Sequence, residues 1–227
     1  MDVRWVNRFR FGMGLVLAGT LIGCGSHDDW FPMKAGKHWK YNVRTRLGSQ
    51  VVQLKVLRPI AVASTEGFEL SGPLGTSRLA WRDGTLYADR TSNGQFDPPI
   101  PLLVPGIQRT KEEQKRIDEQ RRKLKKGQFI KKEDLIPDKP AAHWVGDVKV
   151  LGKVRHASAD LTEVADTTTV GVRSVPTIHV TLNLTFDNSD RYIVLDSWYQ
   201  QGVGLVEQDQ RTSDAFVVQL QLLGHDE

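Results

Sequence analysis

From Trp39 onward, apolar and polar side chains alternate strictly. Trp39, Tyr41, Val43, Thr45 and Leu47 fall on one face, and Lys40, Asn42, Arg44 and Arg46 on the other. A period of two with one wet side predicts a half-buried β-strand. Pro32 and Gly36, just before it, break regular structure. Gly48-Ser49 predicts a turn into a second strand, Val51–Val56. Short strands are expected at Phe68–Leu70, Leu79–Trp81 and Leu86–Ala88, the last two flanking Asp83-Gly84, a favoured hairpin pair. Residues 97–105 hold four prolines. Proline cannot donate to a ladder, so this stretch is expected outside the centre of a sheet. Strand patterns resume over Trp144–Val154 and are clearest over Thr177–Phe186, where Ile178, Val180, Leu182, Leu184 and Phe186 alternate with polar residues. Asp187–Asp190 predicts a turn into Arg191–Tyr199, and Gly202–Val206 and Phe216–Leu222 complete the pattern. Strands at this spacing predict a mainly β domain: a curved antiparallel sheet, a half-barrel that is open or nearly closed.

Two stretches depart from the strand rhythm. Residues 1–10 carry Arg4, Arg8 and Arg10 against Asp2, and Phe11–Ile22 is uncharged and mostly apolar. That run is too short to cross a bilayer, which takes about 20 apolar residues, and its order of charge, apolar centre and small residues is that of a signal peptide. It ends in Leu21-Ile22-Gly23-Cys24, which contains the only cysteine in the 227 residues. This tetrad resembles the lipobox of bacterial lipoproteins. The resemblance implies cleavage between Gly23 and Cys24, a diacylglyceryl group on the Cys24 sulfur and acylation of the new amino group. One acyl chain holds a protein to a membrane only marginally, whereas two or more anchor it. Gly25 and Ser26 follow the cysteine; in lipoproteins the absence of Asp there implies sorting to an outer membrane, facing the periplasm. The expected organisation is a signal peptide over 1–23, a polar tether over 24–29 and a single domain over 30–227.

The second departure is residues 109–132, with eleven Lys or Arg against four Asp or Glu. Removal of three Arg and one Asp with residues 1–23 lowers the formal charge of the chain from +4 to +2, so the basic balance is concentrated in this one segment and the rest of the mature chain is acidic. The residues up to Lys126 are good helix formers, and Glu112/Arg116 and Glu119/Lys123 stand at i, i+4. Ile107, Ile117 and Leu124 are too far apart to make an apolar face. A charged helical insertion over about 106–140 is expected, solvated or resting on anionic lipid headgroups, on an envelope protein partner or on the acidic body of the domain. Aromatic residues do not interleave with the charges, so nucleic acid is not an expected partner.

Several phrases together resemble a broad group of bacterial secreted and lipid-anchored β-domains. They are Phe31-Pro32-x-Lys34-x-Gly36-x-x-Trp39-x-Tyr41, the proline-rich run Pro98–Val104 before Trp144 and Gly146, Val175-Pro176, and Trp198-Tyr199 followed by Gly202-Val203-Gly204-Leu205-Val206. The resemblance implies a curved antiparallel sheet distantly like the half-barrels of lipoprotein carriers, and implies no reaction. The basic insertion interrupts what is continuous in that group. Trp39, Tyr41, Trp81 and Trp198 are the large aromatics expected to fill the concave side of the sheet or to meet a ligand there.

The motifs of chemistry are sparse. No two of the six histidines stand at i, i+4, and no Gly-x-Ser-x-Gly, Ser-x-x-Lys or phosphate-binding glycine loop occurs. With Cys24 taken by lipid, thiol chemistry and thiolate metals are excluded. Asp89, Thr91, Asn93 and Asp97 place oxygen atoms at positions 1, 3, 5 and 9 of a calcium-type loop with Gly94 at position 6; position 12 is Ile100, and an Asn-Gly turn accounts for the same residues. The expectation is therefore a non-enzymatic, lipid-anchored envelope protein with no cofactor beyond the lipid on Cys24, acting as a structural or protein-binding domain in envelope assembly. The alternative is a carrier or receptor for a hydrophobic ligand, which calls for an apolar cavity bounded by Trp39, Trp81, Trp198 and Phe186. A hydrolase would require a cleft with a His–carboxylate pair near a serine.

Overall fold

The computed structural model describes residues 27–72, 75–126, 139–214 and 217–225. A 3-10 turn, His27–Trp30, leads into twelve strands: β1 His38–Thr45, β2 Gly48–Val62, β3 Thr65–Gly72, β4 Gly75–Arg82, β5 Thr85–Thr91, β6 Gly94–Leu103, β7 Ala142–Val150, β8 Lys153–Val170, β9 Arg173–Phe186, β10 Tyr192–Gln200, β11 Gly204–Thr212 and β12 Val217–His225. One helix, α1 (Lys111–Lys125), stands between β6 and β7. Each strand pairs antiparallel with its neighbour in sequence, and β12 returns to pair with β1. The architecture is an up-and-down barrel of twelve strands, closed all the way round. The half-barrel expectation is corrected on this point. Pairs such as Tyr41↔Leu222 and Val43↔Leu220 join the two ends of the sheet, which removes the free edges that an open sheet would expose.

Inward faces carry the apolar half of each alternation. Trp39, Tyr41 and Val43 of β1, and Ile178, Val180, Leu182 and Leu184 of β9, are buried. Their outward neighbours are polar, including Lys40 and Arg44 on β1 and Asp147 and Lys149 on β7. This phase is opposite to that of a barrel whose wall faces lipid. Leu47, expected on the inner face of β1, lies instead in the turn to β2 and is almost fully exposed. The strand expected over Trp144–Val154 is interrupted by a turn at Leu151-Gly152, with Leu151 at φ 49°.

The proline run lies inside the barrel wall, in β6, contrary to expectation. Its prolines sit where the wall is weakest: β6 pairs with β7 only through residues Gln95, Phe96 and Asp97. Beyond them Trp144 substitutes for the missing ladder, its indole N–H donating to the Pro98 carbonyl at 2.9 Å. Gly146 lets the two strands approach this closely, since a Cβ there would lie 2.5 Å from the Asp97 carbonyl oxygen and 2.6 Å from the Trp144 ring. Past the end of the β7 pairing, β8 is joined by the incoming insertion, with Arg109 N–H donating to the Glu163 carbonyl and Ala165 N–H to the Arg109 carbonyl.

The insertion is helical where expected. Thr110 caps α1: its hydroxyl accepts from Glu113 N–H while the Glu113 carboxylate accepts from Thr110 N–H. Lys111 pairs with Asp166 on β8, and Ile117 is buried, so one face of α1 rests on the barrel wall. Residues 127–138 of the predicted insertion lie outside the described residues.

Candidate functional site

The two ends of the barrel differ in chemistry. The chain enters at the end that also carries the β2–β3, β4–β5, β6–β7, β8–β9 and β10–β11 connections. Here Phe31 plugs the bore. Its ring stacks on Trp39 at 5.2 Å and meets Tyr199 edge-on at 6.2 Å. The Phe31 carbonyl accepts from the Trp81 indole, and the Asp29 carbonyl accepts from Gly202 N–H. Gly204 (φ +111°) gives the plug room, because a Cβ there would press on the Phe31 ring at 3.2 Å. Trp39 Nε1 and the Tyr41 hydroxyl donate to the carbonyls of Val203 and Leu205, both at 2.7 Å. The Gly-Val-Gly-Leu-Val phrase read from the sequence is thus the seat of the plug.

Above the plug the bore is hollow. A cavity of about 130 Å³ is walled by leucines from strands all round the barrel, among them Leu70, Leu79, Leu86, Leu182, Leu195 and Leu205. Phe31 and Tyr199 form its floor, and the β5–β6 turn (Thr91, Ser92, Asn93) lies over its far end. The few polar groups in the wall include Ser77, Ser197 and Gln208, of which Gln208 donates its amide to the Ser197 hydroxyl at 2.9 Å.

Among the described residues one charged side chain, that of Glu163, is buried in the core. Glu163 of β8 continues the inward series Ala157, Ala159, Leu161 and is 1% exposed. One of its oxygens accepts from Val104 N–H at the point where the chain leaves β6; the other has no partner among the described residues. Burial pushes its carboxyl up to about 7, only partly offset by that bond. Burial likewise raises the Tyr41 and Tyr199 phenols.

The sequence-predicted aromatics separate into three environments. Trp39 and Tyr41 are buried beside the plug, Trp81 holds the plug by its N–H, and Trp198 is outside the barrel. The expectation that these residues fill the concave side is therefore corrected for Trp198. On β10 the inward residues are Leu195, Ser197 and Tyr199, and Trp198 shares the outer face with Asp196. There Trp198 stacks on His179 at 4.3 Å and 1°, and donates to Asp166. His179, Thr181 and Arg211 converge on Asp196. Burial would raise both carboxyls, but the hydrogen bonds and cations around them prevail and hold them below their ordinary range. This outer network ties α1, through Lys111, to the wall. The expected cavity bounded by Trp39, Trp81, Trp198 and Phe186 is not the one present, which is walled mainly by leucines over Phe31 and Tyr199.

The calcium-type residues are placed along one hairpin. Asp89 pairs with Arg78 at 3.3 Å, Asn93 N–H donates to the Thr91 hydroxyl, the Asn93 side-chain oxygen accepts from Gln210, and Asp97 faces Asp147 across the β6–β7 seam. Among the described residues no group of three or more His, Cys, Asp or Glu side chains is placed to hold a metal. His143–Asp160 and His156–Asp147, like His179–Asp196, lie on the outer face, across the wall from the cavity. Cys24 and Gly23 lie outside the described residues. Sequence reasoning missed Glu163 and the leucine cavity. The inward phase of β8 was a usable signal for the former, two residues beyond Leu161.

No family model matches the sequence, and no curated protein matches it. Solved structures with a similar arrangement include a proposed lipoprotein of Parabacteroides distasonis, with 12% identity and a TM-score of 0.45 over 87% of this chain and 98% of that one. A proposed exported protein of Bacteroides fragilis with a YmcC-like fold has 10% identity and a TM-score of 0.46 over the same shares. The hypothetical lipoprotein YmcC of Escherichia coli has 11% identity and a TM-score of 0.40 over 89% of this chain and 90% of that one. At 10–12% identity no residue role passes from them to this chain.

Proposed function

We propose that this chain is a lipid-anchored protein of the bacterial envelope whose barrel holds a hydrophobic ligand in its bore. The observation that carries the reading is the leucine-walled cavity, closed by Phe31 at the end where the chain enters and set beneath a turn at the other. Its volume, about 130 Å³, is close to that of an engineered apolar cavity of roughly 150 Å³ that admits benzene. An aliphatic segment of several methylenes is the fitting occupant. Each methylene buried is worth about 0.8 kcal/mol, or about fourfold in affinity per carbon. The test is a displacement titration of an environment-sensitive fluorescent fatty-acid analogue by n-alkyl competitors of increasing length. Affinity should climb by about fourfold per carbon and then level off as the cavity fills. In Leu182→Phe, which narrows the bore, the plateau should come at shorter chains. An affinity independent of chain length, or unchanged in the variant, refutes the reading.

The anchor assigned to Cys24 complements this geometry: the chain enters at the plugged end, so the open end is directed away from the attachment point. Intact mass of the membrane-fraction protein, wild type against Cys24→Ser, tests it. A chain beginning at Cys24 and carrying acyl mass is expected in the wild type alone; an unmodified soluble wild type refutes it.

A second contact is favoured by the position of α1. The insertion leaves the barrel at the same plugged end, and the basic residues of α1, among them Lys111, Lys115, Arg116 and Arg122, are exposed. Basic side chains near an anionic leaflet contribute about 1 kcal/mol each. The Cys24→Ser protein should sediment with phosphatidylglycerol vesicles at low salt and not with phosphatidylcholine vesicles, whereas equal sedimentation with both removes this contact.

A further inference from the structure

The bore does not end at the β5–β6 turn. Beyond it lies a hollow of about 480 Å³ at the open end of the barrel, formed by the same inward faces that wall the cavity: Phe186 follows Leu182 on β9, and Ile193 precedes Leu195 on β10. Ser92 and Asn93 border both spaces. Between them the Asn93 side-chain oxygen accepts from the Gln210 amide at 2.9 Å. Asn93 lies in the turn between β5 and β6 and Gln210 on β11, on the opposite side of the ring of twelve, so this hydrogen bond ties the turn to the far wall across the mouth. It joins two uncharged amides, which can exchange partners at little cost.

The outer hollow differs from the cavity in charge. Lys153, Arg155 and Arg191 border it, with Asp214 as the one carboxylate in its lining. Asp187 and Asp190 occupy the same turn as Arg191 without lining the hollow. Among the described residues no ion pair engages Lys153, Arg155 or Arg191, in contrast to Arg58, Arg78 and Arg211, each of which has a carboxylate. Cations gathered at the rim of an apolar bore, with a polar crossing between, fit a ligand that is apolar at one end and anionic at the other.

Building on the carrier reading above, we propose that the ligand is a single-chain anionic amphiphile: its tail occupies the leucine cavity, and its carboxylate or phosphate head is held at the mouth by Arg155 and Arg191, with Lys153 beside them. The tail passes the Asn93–Gln210 bond, and the head remains in the outer hollow. Guanidinium groups suit either head, since both present oxygens that accept two parallel hydrogen bonds.

The test is calorimetric titration of the full-length protein with decanoate, decyl phosphate and decan-1-ol, which share a tail and differ in the head. The wild type should bind at least one of the two anions ten or more times tighter than the alcohol, and the tighter anion identifies the head chemistry. In Arg155→Gln/Arg191→Gln that advantage should fall to threefold or less while alcohol binding stays unchanged, which also reports that the double variant is folded. Equal binding of anions and alcohol by the wild type, or an anion preference that survives in the double variant, overturns this inference and leaves the carrier reading standing. Failure of all three ligands to bind overturns the carrier reading and this one with it.

Discussion

Glu163 gives the fold a pH dependence that can be worked out in advance. The carboxyl is 1% exposed, has one hydrogen-bond donor in Val104 N–H, and titrates near 7 in place of the ordinary 4.5. A folded-state value above the unfolded one means that the native protein binds this proton more tightly. Its contribution is complete below pH 4.5 and is lost as pH rises through 7. At about 1.4 kcal/mol per pH unit, the loss amounts to about 3 kcal/mol by pH 8, a large share of the 5–15 kcal/mol typical of a domain. His156, raised chiefly by its bond to Asp147, acts in the same direction. Asp166 and Asp196, held low, act in the opposite one: their contribution is present above about pH 3.8 and is lost as pH falls below it. Greatest stability is therefore expected near pH 4–5. The decisive comparison is urea unfolding of the wild type and Glu163→Gln at pH 5 and pH 8. Glutamine keeps the oxygen that meets Val104 N–H but cannot ionise. The wild type should lose about 3 kcal/mol between the two pH values. The variant should lose far less, with any residual slope due to His156, and at pH 8 it should be the more stable protein. A wild type as stable at pH 8 as at pH 5, or a variant with the wild-type slope, refutes the reasoning.

Other substitutions probe the seam, the mouth and the helix. Gly146→Ala places a methyl against the Asp97 carbonyl and the Trp144 ring and should cost about 2–4 kcal/mol in thermal unfolding, the order of overpacking a core; a loss below about 0.5 kcal/mol means the β6–β7 seam is looser than described. Asn93→Ala removes the bond across the mouth and should speed ligand release in stopped flow several-fold with less than about 1.5 kcal/mol of destabilisation; an unchanged release rate shows that the tail does not pass there. Lys111→Ala frees Asp166 from its cation and should expose α1 to trypsin earlier in a limited digest, with a stability change of about 1 kcal/mol or less. An unaltered cleavage rate means that Ile117 alone holds the helix.

Much of the wall was legible because alternation is a local property. β1 and β9 announce their inner faces through Trp39, Tyr41 and Val43 and through Ile178 to Leu184, and the run of helix formers up to Lys126 with its i, i+4 pairs announces α1. Closure was not legible, since it depends on β12 finding β1 across some 180 residues, a pairing with no local sign. The proline run misled for a definite physical reason. A strand interior to a sheet needs donors on both sides, but β6 needs them on its β7 side only at residues 95–97, and the Trp144 indole supplies a bond beyond. Trp198 misled because Ile193, Val194 and Leu195 are all apolar, so β10 carries no phase of its own.

The cavity and Glu163 are linked by one packing problem. Twelve strands enclose a wider bore than the apolar side chains of this chain can fill, and the sequence meets the excess differently at the two ends. At the plugged end, space is taken by aromatics, Phe31, Trp39, Tyr41 and Tyr199, together with a carboxyl whose burial costs stability above neutral pH. Toward the open end, leucines wall a cavity of about 130 Å³, and above it Gln210 is bonded to Asn93. A barrel selected only for stability would be expected to fill that space with aromatics as well. Large aliphatic residues around a void, under a polar crossing and a cationic rim, give up packing energy at the one end where a ligand could restore it.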